Sequence, residues 1–469
     1  MIEPTRRDIL AGAAGLGAVV AGLSGCTSVS GGEPVAVPVD ASLAARSAQS
    51  PSMIVILSDD HRADHMGFTG VVPGLLTPVL DQMAAGGVVF EQSTVSTALC
   101  SPSRASFVTG QYARRHGVVN NVSAWQPGNR TFFEYLAAAG YRCGYIGKWH
   151  MPGDLPDLRG VDTFVTFTIE EGQGVYTNCP LVIDGVDVDR PDTYISTDLT
   201  DLALQWLSDE DERPFCLLIG HKAVHHPFEP PEDLRGLYEQ VTLRETPPEG
   251  FTWQTLLERN VWEGTAGRLE SVYRRYCETL LGLDREIGRV IDFVDGSSRG
   301  ENIVVIYTSD NGYSWGEQTL TGKRWAYDVT ADVPLIVRWP KGISDPGTTR
   351  AAPVLNIDLA PTLLDIAGLP IPADMQGRSW APILSEDDPT WREAVYYEYF
   401  ADFPYQVPPN QAVRTERWIY IEYDRGLEPM LFDRLADPDQ RDDLFSQPGT
   451  EQVVAELSQM LSRMREEAA

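Results

Sequence analysis

The clearest regularity along this chain is a set of short, uninterrupted apolar runs, each closed by polar residues. Met53 to Leu57 ends at Ser58-Asp59-Asp60, Pro214 to Gly220 ends at His221-Lys222, and Asn302 to Thr308 ends at Ser309-Asp310-Asn311. Val333 to Arg338 is a fourth run of the same kind. Runs without alternation suit strands buried on both faces, as in a mostly parallel sheet with helices packed on each side. Such sheets take ligands outside the carboxyl ends of their strands, so the residues closing the first three runs are candidates for chemistry.

Between the runs lie segments with helical spacing. Thr131 to Ala139 is stopped by Gly140, and Leu359 to Ala367 by Gly368. The longest, Arg268 to Val294, places Leu269, Val272, Tyr273, Tyr276, Leu280, Leu283, Ile287, Val290 and Ile291 on one face. Residues 160–191 and 227–267 hold no sustained period and are expected to be excursions over the ligand-binding face. Beyond a Pro- and Asp-rich stretch ending near Pro389 come Val395–Tyr399, Gln411–Arg414, Trp418–Glu422, Met430–Phe432 and a helix from Glu451. That order predicts an antiparallel sheet carrying one helix. The expected fold class is α/β: a large mixed, mostly parallel sheet between helices over 51–385, with a smaller α+β subdomain over 386–469.

With 469 residues, 43% hydrophobic and 22% charged, the chain has material for a large globular core. A formal charge of −30 argues against nucleic acid as a partner, because that binding needs a basic face. At the amino terminus, Thr5-Arg6-Arg7-Asp8 before the apolar run Ile9 to Leu23 resembles a twin-arginine export signal. Leu23-Ser24-Gly25-Cys26 resembles a bacterial lipoprotein cleavage box. The expectation is a signal over 1–26, an acylated Cys26 holding the protein to the outer side of a membrane, and a flexible tether over 27–50. Cys143, Cys179, Cys216 and Cys277 allow three pairings, but folding in a reducing cytosol before export predicts buried thiols.

Adjacent carboxylates repel, so Asp59-Asp60 at the end of a buried strand is costly unless a cation binds them. Together with Asp310 and Asn311 they make three carboxylates and a carboxamide, a hard-oxygen set suited to Ca²⁺ or, less well, Mg²⁺. Cys100 and Arg104 open a predicted helix, whose amino terminus offers free amides and a positive dipole end. Gly147-Lys148-Trp149-His150, His221-Lys222-Ala223-Val224-His225-His226 and Lys323 add cations and proton-transfer groups.

Cys100-Ser101-Pro102-Ser103-Arg104 resembles the signature of the type I sulfatases, in which a formylglycine-generating enzyme oxidises the cysteine to an aldehyde. The resemblance runs from about Ile54 to Leu444. It includes Asp59-Asp60 with Arg62 and Asp64, Gly147 to His150, Lys222 to His225, Ser309 to Gly312, and Lys323 with Pro334 to Pro340. It implies an alkaline-phosphatase-like fold and a Ca²⁺ held by Asp59, Asp60, Asp310, Asn311 and the modified Cys100. It further implies that Arg104 and Lys148 fix the formylglycine hydrate, that Asp310 is its base, and that His150 assists regeneration. His225 and Lys323 then contact the sulfate and the leaving oxygen. His226 leaves the choice of acid open by one position, and His221 reads as structural. Two departures stand out: Gly316-Glu317-Gln318-Thr319 replaces the Gly-Glu-His-Gly common in the family, and 326–333 lacks the arginine often found before the proline.

The carboxyl-terminal strings Tyr396–Tyr399, Arg414–Ile421 and Leu431–Asp433 resemble bacterial glycan-directed sulfatases, including the N-acetylglucosamine-6-sulfatase-like group. The expected substrate is a sulfated carbohydrate, ahead of an aryl sulfate or choline ester. Exposed charge is screened within about 8 Å, so a basic pocket still attracts one sulfate, whereas a long polyanion meets the acidic surface. A terminal residue or short oligosaccharide is favoured. The rival readings are a formylglycine-dependent phosphonate or phosphodiester hydrolase, a phosphatase using unmodified Cys100 or Ser101, and a glycan-binding surface lipoprotein without turnover.

Overall fold

The structure is a computed structural model that describes residues 50–243 and 266–469, apart from 387, 389, 404, 406 and 425. The export signal, Cys26, all but the last residue of the tether, and part of the second excursion lie outside the described residues.

The main sheet has ten strands: β1 (Ser52–Ser58), β2 (Val88–Phe90), β3 (Arg142–Gly147), β4 (Thr163–Thr166), β5 (Leu181–Ile183), β6 (Val186–Val188), β7 (Phe215–Gly220), β8 (Ile303–Ser309), β9 (Leu335–Arg338) and β10 (Thr348–Arg350). Their spatial order is β10-β2-β9-β8-β1-β7-β3-β4-β5-β6. The centre, β8-β1-β7-β3-β4, is parallel. The helices that flank it include α1 (Pro78–Ala85), α2 (Cys100–Thr109), α3 (Phe132–Ala138), α4 (Ile195–Leu207), α5 (Ala266–Gly296) and α6 (Leu359–Ile366). Ile54 and Ile56 of β1 share one core with Leu80, Leu199 and Leu280 of α1, α4 and α5. Met53, Val55 and Leu57 share the opposite core with Phe107, Leu136 and Leu363 of α2, α3 and α6. Burial on both faces is why the central strands are apolar at every position.

The sheet is mixed and mostly parallel, as expected; one strand direction is added by the structure and one expectation is corrected. Val333 to Arg338 yields β9, which runs antiparallel to both β8 and β2. A strand buried on both faces has the same composition in either direction, and the connections alone decide which way it runs. Residues 160–191 are not merely an excursion, because they supply β4, β5 and β6. Strands of three or four residues are too short to show a period, although Asp184-Gly185, both at positive φ, is a hairpin signal between β5 and β6.

Near the carboxyl terminus, β11 (Ala394–Tyr399), β12 (Asn410–Thr415), β13 (Trp418–Tyr423) and β14 (Met430–Asp433) form an antiparallel sheet in sequence order. Helix α7 (Glu451–Glu467) covers one face through Leu457 and Leu461. The other face, including Tyr397, Ile419 and Phe432, packs on Leu320, Trp325 and Tyr327. This sheet therefore braces the segment that carries Lys323. Cys143, Cys179, Cys216 and Cys277 are buried free thiols.

Gly147 closes β3 at a φ of +126°, and a Cβ there would overlap the Gly220 carbonyl oxygen of β7. Gly147→Ala is expected to lower unfolding free energy by about 3 kcal/mol in urea titrations, because neither backbone can yield. His116, beneath α2, bonds Ser106 Oγ and accepts from the Val118 N–H. Burial pushes its pKa down to about 3. The unfolded chain takes up a proton below about pH 6.5 that the folded protein refuses. Its stabilising contribution is therefore complete above that pH and is lost as pH falls, by up to about 4 kcal/mol. His116→Gln is expected to flatten the pH dependence of stability between about pH 6.5 and 4.

Candidate active site

Four strand ends deliver the cluster. β1 leads into Asp59 and Asp60, β8 into Asp310 and Asn311, β3 into Lys148 and His150, and β7 into the segment ending at His225. Helix α2 begins with Cys100 and places Arg104 one turn further on, and Lys323 follows a short hairpin at 314–322. Cys100, Arg104, Lys148, Asp59, Asp60, Asp310, Asn311 and Lys323 are all buried.

Arg104 Nε donates to Asp310 Oδ2 at 2.7 Å, and Arg104 Nη1 to the Lys148 carbonyl at 2.9 Å. Lys148 pairs directly with Asp59. Lys323 Nζ lies 2.5 Å from Asp60 Oδ1 and 2.7 Å from Cys100 Sγ. The Asp60 backbone is left-handed, at a φ of +61°. It is fixed by its N–H donating to Asp310 Oδ1 at 3.2 Å, by Asn311 Nδ2 donating to Asp60 Oδ1 at 2.6 Å, and by Tyr276 Oη donating to its carbonyl at 3.0 Å. Such a backbone costs about 1–2 kcal/mol at a non-glycine residue, which these contacts offset.

Burial pushes the carboxyl groups up, and the neighbouring charges then separate them. Lys148, with His225, Lys323 and Arg104, pulls Asp59 well below the usual range. Asp60 stays raised by burial and by the repulsion of Asp59, against Lys323. Burial and Asp59 push Asp310 up to about 7. Burial likewise drives the Cys100 thiol up to about 12 and holds His150 and His225 towards their neutral forms.

Oxygens of Asp59, Asp60 and Asp310 and the sulfur of Cys100 lie within 4.8 Å of one another. Asn311 Oδ1 is buried beside them with no hydrogen-bond partner among the described residues. Hard oxygens at this spacing, one of them unsatisfied, fit a divalent cation.

The histidines separate. His225 Nε2 lies 3.9 Å from Asp60 Oδ2, while its Nδ1 lies 2.7 Å from the His226 carbonyl. His225 is thus the one turned to the cluster. Ser101 Oγ lies 3.3 Å from His150 Nδ1 and donates to the His150 carbonyl at 2.8 Å. His221 is buried and held neutral, with its pKa pushed down to about 4. Lys222 places its Nζ over the Tyr176 ring at 4.0 Å. Gln318, in the place of the family's histidine, donates to the Asp439 and Gln440 carbonyls. Glu317 beside it accepts from Arg62, which also grips Asp64.

Sequence reasoning did not identify Gln173 and Tyr176, which bond His225 Nε2 at 3.3 Å and its carbonyl at 2.5 Å. It also missed Tyr276 as a brace for Asp60. The helical period marked Tyr276 as core, and nothing in it distinguishes a tyrosine whose hydroxyl is used.

A sulfatase family profile matches residues 51–369, and one for the carboxyl-terminal region of N-sulphoglucosamine sulphohydrolase matches 316–467. The chain is 28% identical to an N-acetylglucosamine-6-O-sulfatase of Bacteroides thetaiotaomicron, covering 89% of this chain and 86% of that protein. It is 30% identical to the N-acetylglucosamine-6-sulfatase of Capra hircus, over 80% and 69% of the two chains. A solved structure in complex with its substrate D-glucosamine-2-N,6-O-disulfate superposes with a TM-score of 0.82 at 26% identity, covering 89% of this chain and 98% of that one. The chain belongs to the sulfatase family. It is a sulfatase with the alkaline-phosphatase-like fold.

Arg104→Met leaves Asp310 without its cation in a buried site. The expected loss is about 3–5 kcal/mol of stability in denaturant unfolding, against about 1 kcal/mol for an exposed arginine.

Proposed function

We propose that this sulfatase removes the 6-O-sulfate from a glucosamine or N-acetylglucosamine residue at the end of a short glycan. It does so with a formylglycine made from Cys100 by a formylglycine-generating enzyme, and with a Ca²⁺ held by Asp59, Asp60, Asp310, Asn311 and the modified residue. The observation that carries the reading is the convergence of Cys100, at a helix amino terminus, with three buried carboxylates, Lys148, Lys323 and His225. The named relatives and the substrate-bound neighbour support the choice of sugar.

The hydrated aldehyde supplies an oxygen nucleophile and the cation supplies charge stabilisation for the sulfuryl oxygens. Lys148 and Lys323 add two fixed positive charges on the same side. Arg104 orients Asp310, which accepts the proton of the attacking oxygen. The Nδ1–H of His225 donates to its neighbour's carbonyl and aims Nε2 inward. In the doubly protonated form that a bound sulfate anion favours, the ring gives its Nε2 proton to the departing sugar oxygen and returns to the neutral Nδ1–H form. His150, bonded to Ser101 beside the nucleophile, takes the second proton when sulfate is expelled.

Export by the twin-arginine route and anchoring through Cys26 belong to the same proposal. A folded enzyme leaves with its modification made, and faces glycans outside the cell.

Protein co-produced with a formylglycine-generating enzyme is expected to show the thiol-to-aldehyde mass change in the Cys100 peptide and to release sulfate from N-acetylglucosamine 6-sulfate. Cys100→Ala should lower kcat by about a thousand-fold or more. Chelation should abolish turnover, with Ca²⁺ restoring it better than Mg²⁺. Efficient turnover by protein whose Cys100 is still a thiol would sink the mechanism, and faster cleavage of phosphonate than of sulfate esters would reassign the reaction.

A further inference from the structure

Ala401, Asp402 and Tyr405, between β11 and β12, are tied to segments of the site from two directions. Asp402 is buried and accepts from Arg324 Nε and Nη2 at 3.0 and 2.7 Å, and Arg324 adjoins Lys323. Asp402 also accepts from the Asn121 N–H at 3.2 Å, and Asn121 Oδ1 accepts from the N–H of Ser101, next to Cys100, at 3.0 Å. Asn120 Nδ2 donates to the Ala401 carbonyl at 2.9 Å, and the Tyr405 ring lies 3.4 Å under the Arg324 guanidinium.

On this fixed base stands Phe403, 84% exposed. Val122, 67% exposed, follows the two asparagines that hold the loop. Two large apolar side chains thus stand exposed on segments hydrogen-bonded to those that carry Cys100 and Lys323. Phenylalanine is ordinarily buried, and an exposed ring next to an anchored residue is a ready contact surface. The cations of the site account for the sulfate, but none of the cluster residues offers an apolar surface to the carbon framework that carries it.

We propose that Phe403 is a specificity-determining platform on which the apolar face of the leaving-group sugar stacks. Asp402 is the positioning residue that holds the platform against the Cys100 and Lys323 segments. A pyranose ring has one face of C–H groups that suits an aromatic ring, whereas a small alkyl sulfate has none. The inference rests on the sugar reading above and adds the part of the enzyme that recognises the sugar itself.

The test compares wild-type enzyme, Phe403→Ala and Phe403→Trp on N-acetylglucosamine 6-sulfate, with 4-nitrophenyl sulfate as a reference for the sulfate site of the wild type. Phe403→Ala is expected to raise KM for the sulfated sugar about five- to ten-fold, with kcat within about two-fold and an unchanged unfolding midpoint. Phe403→Trp should restore KM. If wild-type enzyme cleaves the sugar and Phe403→Ala leaves KM unmoved, or if Trp fails as badly as Ala, the platform is disproved while the sugar reading stands. If wild-type enzyme cleaves 4-nitrophenyl sulfate but no sulfated glucosamine, the sugar reading falls and takes this inference with it.

Discussion

Everything at the carboxyl edge of the main sheet depends on the balance of buried charge. Asp59, Asp60 and Asp310 converge in a space where repulsion and lost hydration would each be severe. Arg104, Lys148 and Lys323 face them, one cation to each carboxylate. The compensation is uneven, because Asp59 is held firmly ionised while burial leaves Asp60 and Asp310 raised. That residual tension, with an Asn311 oxygen that has no hydrogen-bond partner among the described residues, suits the cluster to a divalent cation.

The fold meets this demand by making the strand ends converge. Parallel strands β8, β1, β7 and β3 finish at one edge, so residues some 250 positions apart in sequence become hydrogen-bond partners, as with Asp60 and Asp310. Helices on both faces keep the strands dry and fix their heights. Gly147 and Gly220 let β3 and β7 approach where Lys148 leaves the sheet. On the other side, α5 reaches the site through the Tyr276 hydroxyl, so core packing and the left-handed turn at Asp60 are coupled.

The carboxyl-terminal sheet is part of the same device. Its inner face supports Trp325 and Tyr327, and Arg414 from β12 pairs with Asp328 and Asp332 just beyond Lys323. Lys323 follows a two-residue hairpin strand rather than a strand of the main sheet, and its position depends on this bracing. Asp402, after β11, is linked through Asn121 to the start of α2 as well, so one carboxylate joins the helix that carries Cys100 and the segment that carries Lys323.

The sequence by itself determined which polar residues close the central strands and which elements carry them. Unbroken apolar runs identified β1, β7 and β8, and the polar residues at their ends named Asp59, Asp60, Asp310 and Asn311. The string from Cys100 to Arg104 identified the helix start. Those features are local, and local patterning follows directly from burial on one or both faces. Tertiary structure alone decided the direction of β9, the recruitment of residues 160–191 into the sheet, and the turning of the His225 ring towards Asp60. It also decided the use of Gln173, Tyr176 and Tyr276, and the seating of Asp402 between Arg324 and Asn121. Each of these is a contact between distant segments, and its energy depends on geometry that no run of neighbouring residues encodes.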